Sequence, residues 1–151
     1  MHYIAHRGNL NGSNPDREND PQYVSEALSR GYEAEIDVWA IDEKIFSGHD
    51  EPQYEVDSTF LAHPRLWCHA KNLEALAVLE KVNTHYFWHQ KDDVTLTSQN
   101  YVWTFPDVFL TPASICVMPE HSNYTKADLY GCKGICSDYI EKYYLEGKHN
   151  V

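Results

Sequence analysis

Glu35 and Asp37 lie two apart in Glu33-Ala-Glu-Ile-Asp-Val38, where acids alternate with Ala34, Ile36 and Val38. A period of two is that of a β-strand, and it sends both carboxylates to one face. Two like charges held that close repel unless a proton or a cation lies between them. Oxygen donors of this kind suit a hard divalent ion such as Mg²⁺ or Ca²⁺. A short second strand, Lys44 to Ser47, and a glycine bring His49 in soon after. Further chemistry-bearing residues fall at the ends of short apolar runs: His6-Arg7, His69 with Lys71, His89-Gln90, Trp103-Thr104 and Asp138.

The elements that must position them follow from local signals. Tyr3 to Ala5 reads as a first strand, and Asn9 to Asp20, dense in Asn, Gly, Ser, Pro and Asp, as a loop. Asp20 then caps a helix with Pro21 at its first position, Val24, Ala27 and Leu28 on its buried stripe and Gly31 as its stop. With the acidic strand this makes a βαβ unit, which implies parallel strands and a right-handed crossover. Residues 50 to 64 are irregular apart from a helical turn near Ser58 to Ala62. Leu66 to Lys71 is a third strand, and Asn72 caps a helix over Leu73 to Val82. Short strands are expected at Tyr86–Gln90, Val94–Thr97, Tyr101–Thr104, Ile115–Met118 and Gly134–Asp138, with a turn or two of helix at Tyr124 to Tyr130.

Parallel strands that each end in a polar cluster predict an α/β fold with its site at the strands' C-terminal rim. A full (β/α)₈ barrel takes ~250 residues. The 151 residues here make a single domain, 1–151, so the expectation is a reduced TIM barrel with several outer helices shortened or missing. Strand faces bared in this way could be covered in a homodimer.

Composition narrows the function classes. Twelve basic against 23 acidic residues give a formal net charge of -11, which repels nucleic acid and anionic membrane. The same field repels an anionic substrate, so phosphate chemistry would need a local positive patch. No apolar run reaches the ~20 residues of a membrane span, and the N-terminus lacks a basic-then-apolar leader, so a cytoplasmic location is expected. Cys68, Cys116, Cys132 and Cys136 form no CxxC and read as reduced, partly buried thiols.

Ala5-His6-Arg7-Gly8, Glu18-Asn19, Glu35-Ile36-Asp37-Val38 and Gly48-His49-Asp50 together resemble, in order and spacing, the glycerophosphodiester phosphodiesterases. These are metal-dependent TIM-barrel enzymes of the phospholipase-C-like superfamily. The likeness spans residues 3–50 and extends at His69-Ala70-Lys71, Val102-Trp103-Thr104 and Ile135 to Tyr139 over nearly the whole chain. It implies that His6 and His49 are a general acid–base pair and that Glu35, Asp37 and His69 bind one divalent ion. Glu18 would be a further ligand or an orienter of His6. Arg7 and Lys71 would neutralise phosphate oxygens. Apart from the resemblance, His89 at its strand end reads equally as a substrate contact or a core polar group, and Trp103 as a packed core residue more than as a platform for a substrate alcohol. The family has a glutamate where this chain has His69, which softens the site and shifts preference from Mg²⁺ or Ca²⁺ toward Mn²⁺ or Zn²⁺.

The implied activity is hydrolysis of a small, glycerophosphodiester-like substrate. Two other readings stay open from sequence: a phosphoryl-ligand binding relative without catalysis, and a phospholipase-type lyase of the same superfamily. The chemistry is coherent without the family. A cation and a guanidinium spread the charge that develops on phosphate, and imidazole, with an ordinary pKa near ~6.5, moves protons at neutral pH.

Overall fold

The computed structural model describes residues 1–149 and gathers them around one curled, 10-stranded sheet. The strands are β1 (His2–His6), β2 (Glu33–Ile41), β3 (Lys44–Ser47), β4 (Tyr54–Val56), β5 (Leu66–Ala70), β6 (His85–Trp88), β7 (Val94–Leu96), β8 (Val102–Thr104), β9 (Ser114–Val117) and β10 (Gly134–Ser137). Parallel pairing runs β6-β5-β2-β1-β10-β9-β8. β7 folds back antiparallel on β8, and the β3-β4 hairpin pairs with the upper half of β2, from Val38 to Ile41.

Five α-helices accompany the sheet: α1 (Pro21–Ser29), α2 (Ser58–Leu61), α3 (Leu73–Val82), α4 (Lys126–Gly131) and α5 (Ile140–Lys148). The capping signals act as the sequence predicts. Asp20 accepts from Gln22 N with Pro21 next to it, and Asn72 accepts from Ala75 N. α5 and β4 carry no such signal and are not legible in the sequence. Ile140 and Tyr143 nonetheless bury one face of α5, which runs along the outside of β1 and β10.

The expected reduced TIM barrel needs correction. No helix among the described residues joins β6 to β8 or β8 to β9, so the regular alternation of strand and helix fails there. Among the described residues no ladder joins β6 to β8 either, and the sheet is a curled half-barrel rather than a closed one. Isolated hydrogen bonds cross the seam, from Ser98 N to Tyr86 O at 2.8 Å and from Thr95 Oγ1 to Trp88 O at 2.7 Å. The segment between Trp88 and Val102 that could have held a crossover helix instead contains β7, which turns back antiparallel on β8 as a hairpin.

The two faces of the strands build two cores. Ala5, Ala34, Ile36, Val38, Leu66 and Cys68 face outward and pack under the helices. Ile4, Trp67, Phe87, Trp103, Ile115, Val117 and Cys136 fill the concave interior. All four cysteines are buried and free. Among the described residues, no helix is long and apolar enough to cross a membrane.

Candidate metal centre and acid–base site

The concave face of β2 carries Glu35 and Asp37 at the top of the interior, both almost fully buried. β5 brings His69 beside them, because parallel register pairs Asp37 with His69. One donor atom from each of Glu35, Asp37 and His69 lies within 4.8 Å of the others, and this is the one such group found among the described residues.

Asp37 is the hub. Its Oδ1 is 3.1 Å from His69 Nδ1 and 3.6 Å from Lys71 Nζ, and its Oδ2 is 3.3 Å from Arg7 Nε. Asn19 clamps it from the loop side, donating from Nδ2 to Oδ2 at 3.0 Å while Oδ1 of Asn19 accepts from Asp37 N. Burial alone would raise the Asp37 pKa, but donors on His49 and His69 and the charge of Arg7 hold it well below the usual carboxylate range. Glu35 goes the other way: burial and the negative charge of Asp37 push its pKa up. Adjacent buried carboxylates repel, and a proton or a cation between them relieves that repulsion.

His69 points to the same conclusion. Its Nε2 is 2.9 Å from the carbonyl of His89, so that nitrogen donates, and its Nδ1 then faces Asp37 Oδ1. Only a proton or a cation can bridge nitrogen and oxygen there. A backbone carbonyl on the far nitrogen is also the usual orienting contact of a metal-bound imidazole. The residues present therefore fit a divalent ion held by Glu35, Asp37 and His69.

Glu18 is not in that group. Its carboxylate accepts from Arg7 Nη1 at 3.0 Å, Asn9 Nδ2 at 2.8 Å and Ser13 Oγ at 2.7 Å. It aims Arg7 instead, whose own backbone takes the left-handed conformation at φ 53°. Glu18 does not contact His6 directly; Asn9 Nδ2, which donates to both Glu18 Oε1 and Asp138 Oδ1, links it to the carboxylate that His6 meets.

His6 ends β1, with Nδ1 2.8 Å from Asp138 Oδ1 and Nε2 3.9 Å from Glu35 Oε2. Burial lowers its pKa, yet the Asp138 hydrogen bond and the charge of Glu35 outweigh that and raise it above the ordinary imidazole value. Asp138 in turn accepts from Asn9 Nδ2, and Glu120 fixes its backbone N–H at 3.1 Å. In the sequence Asp138 shows only as a polar residue ending an apolar run; the pairing of β10 with β1 is what brings it to His6.

His49 stands on the loop after β3. Arg7 Nη2 is 2.7 Å from its Nδ1, and Asp37 Oδ2 is 3.2 Å from the same atom. A guanidinium only donates and a carboxylate only accepts, so this nitrogen serves one at a time. Unprotonated it accepts from Arg7; protonated it donates to Asp37.

His6, Arg7, Glu35, Asp37, His49, His69 and Lys71 line one cavity of about 350 Å³. Trp88, His89, Trp103, Phe105 and Val117 form its less polar wall. His89 stacks on Phe105 at 3.8 Å between ring centres, and Trp103, 2% exposed, packs mainly on Phe87 and Trp67. Compared with protein-family models, curated proteins and solved structures, the chain matches none.

Proposed function

We propose that this chain hydrolyses a small phosphodiester in a metal-dependent reaction, as its likeness to the glycerophosphodiester phosphodiesterases implies. One observation carries the reading: two imidazoles, a three-donor cluster and two cationic side chains meet around a single cavity. Glu35, Asp37 and His69 would hold the ion, which when bound supplies charge stabilisation to the non-bridging phosphate oxygens.

The chain's own groups account for the rest. Arg7 and Lys71 attract the phosphate against the overall negative field and orient it. With Nδ1–H donated to Asp138, His6 keeps its Nε2 lone pair free to take a proton from the attacking water. Protonated His49 gives a proton from Nε2 to the leaving alkoxide and retains Nδ1–H on Asp37. The wall of Trp88, Trp103 and Phe105 keeps water from one side of the phosphate.

The test is turnover of an aryl or glycerol phosphodiester with Mg²⁺, Mn²⁺ or Zn²⁺ added singly. Activity that EDTA abolishes, and that His6→Ala and His49→Ala each reduce at least a hundredfold, is expected. Tight, metal-dependent binding of a diester that survives intact for hours would replace this reading with a binding module.

A further inference from the structure

Trp39 lies on the same face of β2 as Glu35 and Asp37, one step further toward the rim. Its indole Nε1 donates to the carbonyl of Gly48 at 2.7 Å, and Gly48 N donates to the carbonyl of Asp37 at 3.1 Å. Both backbone polar groups of the residue before His49 are thus tied to β2, one of them by a side chain. Gly48 has φ 154°, and a Cβ there would clash with the Glu51 carbonyl, so the loop admits no side chain at this point. Nearby, Ser47 Oγ donates to Asn19 O at 2.6 Å. The imidazole that follows must place one nitrogen between Arg7 and Asp37, and the Gly48–His49 peptide plane decides whether it can.

We infer that Trp39 is a positioning residue for His49. Its indole N–H fixes the peptide plane from which the imidazole reaches the cavity. The inference rests on the acid–base role given to His49 under the proposed function. It goes beyond that role in assigning the placement to one donor that is not among the residues lining the cavity.

Two variants test it: Trp39→Phe, and incorporation at position 39 of the benzothienyl analogue of tryptophan. The analogue keeps the bicyclic shape and deletes only the donor, so it separates the hydrogen bond from packing. Each is expected to lower kcat about tenfold or more. In a His49→Ala background each should cost less than twofold. Mn²⁺ affinity by calorimetry should change less than twofold in either variant. The ¹³C–¹H ring signals of His49 should shift while those of His6 hold still. A loss of full size in the His49→Ala background, or unmoved His49 signals in both variants, overturns the inference. Absence of any diester turnover by the unmodified protein counts against the proposed function instead, and the ring signals still decide the positioning.

Discussion

His6 has an acid at each end of its ring, and the two do different things. Asp138, 2.8 Å from Nδ1, fixes which nitrogen carries the proton; Glu35, 3.9 Å from Nε2, favours the charged ring without filling the reactive position. If His6 is the proposed base it must be unprotonated to act, and the acidic limb of the rate–pH profile is then expected above the ordinary imidazole value. Asp138→Asn removes the charge that helps raise it. The expected result is a kcat lower by about a hundredfold or more and a limb displaced to lower pH. Stability moves with the same pair. A raised histidine pKa stabilises the fold below the unfolded value, and that contribution fades as pH climbs through the folded one.

At the scale of elements, the side chain of Asn72 does two jobs. It caps α3 through Ala75 N and clasps the Ala40 peptide of β2 on both sides, accepting from Ala40 N at 3.1 Å and donating to Ala40 O at 2.8 Å. Asn72→Ala removes the cap and both clasping bonds and should cost about 2 kcal/mol in urea denaturation. Asn72→Ser restores the cap alone and should recover about half.

The cap and α3 were readable in sequence because both are local. The acidic face of β2 was readable for the same reason, since alternation alone aligns Glu35 with Asp37. Tertiary placement was less legible. Glu18 has the residue type of a ligand, yet Asn9, Ser13 and Arg7 surround its carboxylate, and nothing in its neighbourhood along the chain announces that. Asp138 meets His6 only because β10 pairs with β1 across the length of the chain. The open seam between β6 and β8 depends on how far a hairpin of few residues can reach, which composition does not record.

Two responses belong to the molecule as a whole. At the base of the interior His2 Nδ1 pairs with Glu33 Oε1 at 2.7 Å, Trp67 Nε1 donates to Glu33 Oε2, and His85 packs on Trp67 with Nε2 2.7 Å from Thr97 Oγ1. Burial, against the pull of Glu33, lowers the His85 pKa to about 4. The folded chain therefore resists a proton that the unfolded chain accepts near ~6.5. The His85 contribution should hold above that pH and fall by about 2 kcal/mol as pH drops to about 4, allowing for partial solvation. His85→Gln should flatten the fall, as measured by urea denaturation at pH 7.5 and 4.5. Conversely, a divalent ion that binds only the folded state must raise the melting temperature with its concentration, and EDTA must reverse the rise. Glu35→Gln and Asp37→Asn should each abolish that shift while leaving the pH response at the base intact.

β2 presents Glu33, Glu35, Asp37 and Trp39 on one side and Ala34, Ile36, Val38 and Ala40 on the other. A slip of one position along its neighbours would exchange the two sets wholesale. The base pair, the ion ligands and the anchor of the histidine loop would all turn outward together, and four aliphatic groups would line the interior in their stead. No half-working state lies between the two alignments. Whatever keeps this strand in step keeps the chemistry, and a variant that loosens its pairing should lose activity in a single stroke rather than by degrees.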